Sequence, residues 1–373
     1  MTPALDDGGV EGVTLDIAAA VARAGGRSLV ASRGGRREGA LARDGARLIR
    51  MPLASRNPFT MAANAARLAG VVRRERVSLI HVRSRNPAFS ALSAARATGR
   101  PLIATYHGIY PARSALKRWY NAVMTRGDLV IANSAYTRDH ILAEHGVQGA
   151  RVVVVTEGID TDVFDPAAVA PARVAAVRAN WRIGEREERP VVLLAGRLTS
   201  WKGQRLMVEA LGGLPGRGEV ILILAGGGGS AEYLASIEAA AAVAGISDTV
   251  RLVGDCEDMP AAYLAADLVV APSTAPESFG RGVAEAGAME RPVLASTLGG
   301  PAETIADGLT GWLVASTDPK AWAAAVQSAL TASPQARAAI GRAARARVKR
   351  LYSLSAMCAE TFGVYRRVVE AWP

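Results

Sequence analysis

Residues 271–289 read A-P-S-T-A-P-E-S-F-G-R-G-V-A-E-A-G-A-M. The apolar run Leu268–Ala271 predicts a buried strand that empties into a Pro/Ser loop. The loop carries Glu277 and passes through Gly280 and Gly282. A helix then begins and sets Glu285 about two turns further on. First-turn amides and the helix dipole favour an anion there. Glycine at 280 and 282 lets a bulky anion approach the backbone. The two carboxylates accept hydrogen bonds from hydroxyls that the anion carries. A diphosphate with a polyol at each end, as in a nucleotide sugar, fits this pattern.

Upstream, Gly196-Arg197 closes a predicted strand and Lys202-Gly203 opens the next helix. Two fixed cations five residues apart would neutralise a diphosphate and stabilise it as a leaving group. Alone, the pair reads more simply as exposed charge at a helix start. Glu277 and Glu285 downstream turn the balance toward a ligand site.

The pattern around these motifs alternates strand and helix, which predicts parallel, doubly wound sheets. Strands are expected at 28–32, 47–52, 78–82, 101–106, 129–133 and 152–156. After a break they resume at 191–195, 220–225, 250–253, 268–271, 293–296 and 312–314. The break holds Pro166, Pro171 and mixed charge. The expected organisation is a first α/β domain at 1–165, a linker at 166–188, a second α/β domain at 189–350 and a C-terminal helix at 351–373 crossing back. Open α/β sheets bind ligands at their carboxyl ends, so a cleft between facing loops is expected.

G-R-x4-K-G at 196–203, followed by E-x7-E at 277–285 within F-G-x-G-V-A-E-A, resembles glycosyltransferase family 4. Gly8-Gly9-Val10-Glu11 resembles that family's N-terminal glycine loop, Thr105-Tyr106-His107-Gly108 its first-domain histidine motif, and Gly158-Ile159-Asp160 with Phe164 another of its segments. The first domain is similar to envelope-polysaccharide and lipopolysaccharide-core members. The resemblance implies a GT-B fold: two Rossmann-like domains facing across a cleft, with C-terminal helices packing back toward the first. It implies retaining transfer from a UDP- or GDP-sugar to an envelope glycan or lipid-linked acceptor, without metal or cofactor.

By position, the resemblance gives Arg197 and Lys202 the donor diphosphate, with Gly196 beside them. Glu277 takes the sugar hydroxyls and Glu285 the ribose. Phe279, Gly280, Gly282 and Val283 form the phosphate-capping turn. Gly9 closes over the donor, and His107 supports the departing or attacking oxygen. The catalytic set is thus His107, Glu277, Arg197 and Lys202. Two features depart from the family. Glu157 stands before Gly158 where Asn is frequent. Only Pro3-Ala4-Leu5 remain of the strand expected before the turn at 6–11, which points to a start further upstream.

Charge is uneven along the 373 residues. Residues 1–180 hold 25 Lys and Arg against 14 Asp and Glu, and the rest holds 19 against 20. A basic first half suggests an anionic partner or an arginine-rich solvated face. Arg73, Arg74 and Arg76, and Arg113, Lys117, Arg118 and Arg126 among Leu116, Trp119 and Tyr120, suit an anionic membrane surface. A nucleic-acid role would need interleaved aromatics on a strand face, so nucleic acid is not expected. Cys256 and Cys358 form neither a disulfide framework nor a metal set. No signal peptide or membrane span is visible, and a cytoplasmic location, possible at the inner membrane face, is expected. A GT-B nucleotide-sugar epimerase is the alternative enzyme. His81, His140 and His145 are expected to be structural, and Gly226–Gly229 a close-packed turn.

Overall fold

The structure, a computed structural model, describes residues 1–6, 8–216 and 218–372, so Asp7 of the turn at 6–11 lies outside the described residues. The chain divides into two units. One is Met1–Gly158 with the C-terminal stretch from Leu354; the other is Ile159–Ser353.

In the first unit, β1 (Leu29–Ser32) pairs with β2 (Arg47–Arg50) in parallel. A second parallel sheet runs in the order β3 (Ile80–Val82), β4 (Leu102–Tyr106), β5 (Leu129–Ala132), β6 (Val152–Val154). Every residue of β4 and β5 is buried, as expected of parallel strands covered on both faces. The helix Pro58–Arg74 starts at an Asn57 cap, whose side-chain oxygen accepts from Phe59 N–H at 2.9 Å, with Pro58 in the first turn. It buries Leu68, Val71 and Val72. The C-terminal helix Leu354–Glu370 adds Met357 and Cys358 to a cluster with Val13, Ile17 and Ile131.

Backbone bonds tie the first residues to both sheets. Thr2 N–H donates to Ala31 O at 3.2 Å, and Arg83 N–H donates to Met1 O at 3.1 Å. Met1–Pro3 therefore runs between β1 and β3, where the expected central strand would lie.

The second unit has one six-stranded parallel sheet. Its strands are β7 (Val191–Ala195), β8 (Ile221–Ala225), β9 (Val250–Gly254), β10 (Leu268–Ala271), β11 (Val293–Ser296) and β12 (Trp312–Val314). The order is β12-β11-β10-β7-β8-β9. Ile221, Leu222, Ile223 and Leu224 are fully buried. Each such side chain contributes about 1.5–3 kcal/mol. The chain winds outward in opposite directions from β7 and from β10, so the order reverses between these two central strands. That reversal opens a crevice at their carboxyl ends.

The stretch expected as a linker, 166–188, is instead part of the second unit. Helix Pro171–Asn180 packs Val177 into the larger core cluster, with Val169, Trp181 and Ile183 beside it. Pro166 and Pro171 occupy first-turn positions, where a missing N–H costs nothing, and so start helices instead of breaking them. The unit boundary falls at Gly158/Ile159 instead of 165/166. Of the C-terminal helices, Pro319–Thr331 and Pro334–Leu351 belong to the second unit and only Leu354–Glu370 to the first.

Candidate functional site

In the second unit the loops after β7 and β10 meet. Gly203 has φ +79°, and a Cβ on it would lie 2.1 Å from Pro272 O, so only glycine lets the two loops touch. Gln204, fully buried, donates from Nε2 to Arg197 O at 3.0 Å and accepts from the Tyr233 hydroxyl at 2.9 Å. That pins the Arg197 backbone while its side chain stays exposed. Lys202 Nζ donates to Glu277 Oε2 at 2.8 Å and lies 4.8 Å from the centre of the Trp201 ring. The Ser273 hydroxyl donates to the other oxygen of Glu277. Both carboxylate oxygens of Glu277 are thus held by hydrogen bonds. Gly300 N–H donates to Glu277 O at 2.8 Å, which fixes the backbone that carries this carboxylate.

Gly280, at φ +84°, precedes the helix Arg281–Ala288. Arg281 Nε donates to Glu285 Oε1 at 2.7 Å, and the Tyr263 hydroxyl donates to Oε2 at 3.1 Å. Burial, reinforced by the charge of Glu285, holds the Tyr263 phenol well above its ordinary range, so it keeps its proton and donates. Two carboxylates therefore flank a helix tip, each held by a cation and a hydroxyl.

Two expected site residues sit differently. Phe279 is buried at 3% exposure and meets Tyr352 edge-on at 5.5 Å, so its side chain is core and only its backbone faces the loop. Val283 N–H donates to Gly280 O at 2.9 Å, closing the first helical turn on itself. The amide of Gly282 is then the better placed of the two to cap an anion. Gly226 and Gly227 pack hard against Gly196 O and the Asp255 carboxylate, which makes that glycine run a close-packed turn.

The first unit carries a separate polar group at the carboxyl ends of its sheet. His107 follows β4. Its Nδ1 lies 3.2 Å from Glu157 Oε1 and its Nε2 3.3 Å from Arg83 Nη1. A guanidinium only donates, so Nε2 accepts and Nδ1 carries the hydrogen toward Glu157. Burial lowers the His107 pKa, partly opposed by Glu157, so the ring is neutral. Its side chain is 3% exposed. Asn133 Nδ2 also donates to Glu157 Oε1, at 2.9 Å. Gly9 opens the helix Gly9–Arg23. Sequence reading missed Arg83 and Asn133 and took Glu157 as a departure. Their signal was positional: Arg83, His107 and Asn133 each come directly after a strand of one sheet. His81 is a satisfied core residue, with Nδ1 2.6 Å from the Tyr365 hydroxyl and Nε2 2.6 Å from that of Thr105.

Among the described residues no group of three or more His, Cys, Asp and Glu could hold a metal ion, and no helix is long and apolar enough to cross a membrane.

A family model described as Glycosyl transferases group 1 matches residues 178–347, and one described as Glycosyltransferase Family 4 matches residues 7–163. The chain belongs to glycosyltransferase family 4. This family 4 glycosyltransferase is 32% identical over 253 residues to the D-inositol 3-phosphate glycosyltransferase of Xylanimonas cellulosilytica, covering 67% of this chain and 60% of that protein. It spans between 49% and 60% of the length of three such curated relatives. A glycosyltransferase from Rickettsia africae shares its fold at a TM-score of 0.90 and 28% identity, covering 99% of this chain and 98% of that one. HepE of Anabaena, solved in complex with UDP and glucose, matches at TM-score 0.83 and 24% identity over 98% of this chain and all of its own, a likeness of fold alone. The two Rossmann-like units of this family 4 member place it in the GT-B fold class.

Proposed function

We propose that the chain takes a sugar from a UDP- or GDP-sugar and transfers it, with retention at the anomeric carbon, to a hydroxyl of a negatively charged acceptor. The observation that supports this most is the oriented pair of carboxylates, Glu277 and Glu285, on either side of the Gly280 helix tip. Lys202 and the exposed Arg197 supply the positive charge for the departing diphosphate, which makes a metal unnecessary. Glu277 accepts from the sugar hydroxyls and Glu285 from the ribose. Retention follows if the leaving phosphate oxygen takes the acceptor proton on the same face.

The acceptor is a phosphorylated polyol in this reading. The relatives' names point to an inositol phosphate, the sequence to an envelope glycan or lipid-linked saccharide, and both carry anionic hydroxyl-rich surfaces. The basic first unit suits either. Its exposed Leu116 and Trp119, at 76% and 53%, stand beside Lys117 and Arg118 and suit the inner face of an anionic membrane. Incubation with UDP- and GDP-sugars tests the reading, with inositol phosphate in one arm and lipid-linked glycan in anionic vesicles in another. Transfer with an unchanged anomeric configuration by NMR is expected. Conversion of the donor with no acceptor present would instead mark an epimerase.

A further inference from the structure

Arg281 opens the helix Arg281–Ala288 with a positive charge where a helix is least suited to one. The N–H groups of the first turn and the helix dipole both disfavour a cation there. Gly280 caps the helix, and its first turn holds no acidic residue to offset the charge. Arg281 does pair with Glu285 one turn on, Nε to Oε1 at 2.7 Å. Cation before carboxylate is the weaker order for an i,i+4 pair, so its small gain opposes a loss of similar size at the dipole. Helix stability alone therefore gives little reason for this arginine. Residues that break a local rule in this way are expected at functional positions.

The contacts around Arg281 repeat those around Lys202. Lys202 Nζ holds one oxygen of Glu277 at 2.8 Å and the Ser273 hydroxyl holds the other. Arg281 holds one oxygen of Glu285 and the Tyr263 hydroxyl holds the other, at 3.1 Å. Each set is a cation, a carboxylate and a hydroxyl, and the Gly280 tip lies between the two carboxylates in the chain. The Arg281 side chain is 30% exposed and that of Glu285 14%, so the guanidinium stands on the more open side of the pair.

A nucleoside-diphosphate sugar has the matching order: sugar, β-phosphate, α-phosphate, ribose. With the sugar on Glu277 and the ribose on Glu285, two phosphates fall between, and the two pairs supply one cation for each. The α-phosphate is bonded directly to the 5′ oxygen of the ribose, so a guanidinium held on the ribose's carboxylate comes close to it. Five N–H groups in a planar fork let one guanidinium serve a carboxylate and a phosphate together.

We propose, on the donor reading given above, that Arg281 is a donor-binding residue that contacts the α-phosphate, as Lys202 contacts the β-phosphate. It makes the ribose site select a 5′-phosphorylated nucleoside over a bare one.

The test titrates wild type, Arg281→Met and Arg281→Lys with the nucleoside, the 5′-monophosphate and the 5′-diphosphate of uridine and of guanosine. NMR makes millimolar binding readable. For the base that wild type takes, Arg281→Met should weaken the monophosphate by about tenfold or more and leave the nucleoside within about twofold. Arg281→Lys keeps the charge without the fork and should recover part of the loss. Equal weakening of nucleoside and monophosphate would confine Arg281 to orienting Glu285 and overturn the proposal. An unchanged affinity for the monophosphate would overturn it as well. Failure of wild type to bind either diphosphate is a separate result, which sinks the donor reading and this role of Arg281 with it.

Discussion

His107 Nδ1 and Glu157 Oε1 lie 3.2 Å apart, and this contact fixes which nitrogen of the ring carries its hydrogen. The residue that breaks the family's frequent pattern is therefore the one that orients its histidine. Glu157→Gln keeps an acceptor for Nδ1–H but removes the charge that raises the His107 pKa. We expect kcat to fall by about tenfold or more, the acidic limb of the pH–rate profile to move to lower pH, and the donor KM to hold. A fall in stability with an unmoved pH profile would assign Glu157 to structure alone.

His81 and His107 both have pKa values below the ordinary 6.5, burial being the larger cause in each. A depressed folded pKa means that the stability is fully present above about pH 6.5 and is lost as pH falls through the folded values. Thermal melts stepped from pH 7.5 to about pH 5 should show a falling Tm in the first unit. A flat Tm over that range would contradict the burial of both rings.

Lys202 and Glu277 form a pair with side-chain exposures of 20% and 11%. Lys202→Ala leaves the carboxylate with Ser273 as a donor, and a cost of about 1–3 kcal/mol follows. The fold survives that loss. On the proposed role of Lys202 at the departing diphosphate, transfer should drop by a factor of about a hundred or more. Glu277→Ala should do the same. An active double variant would remove both residues from the site.

Gly203→Ala forces a side chain into the left-handed region and sets its Cβ 2.1 Å from Pro272 O. The loops after β7 and β10 must then part. We predict a loss of about 2 kcal/mol or more together with loss of nucleotide binding. Stability and binding measured on one preparation check it, and full binding would show that the loops need not touch.

Much of this was legible in the chain. Unbroken apolar runs such as Ile221–Ala225 announce parallel strands, because both faces of each strand are covered. The pairing of G-R-x4-K-G with E-x7-E picked out the two loops, after β7 and β10, that the structure brings together. Three matters were hidden. Pro166 and Pro171 look like breakers until a helix start gives them a place. Phe279 sits in a motif yet packs in the core, since spacing does not say which way a side chain turns. Arg83 and Asn133 join His107 only through sheet order, which brings residues far apart in sequence to one edge.

Crystals of the chain soaked with UDP or GDP test the central claim most directly. The account predicts a diphosphate lying between the Arg197 and Lys202 side chains and the Gly280–Gly282 helix tip, with the ribose on Glu285. A nucleotide bound elsewhere, or none bound at millimolar concentration, would contradict it.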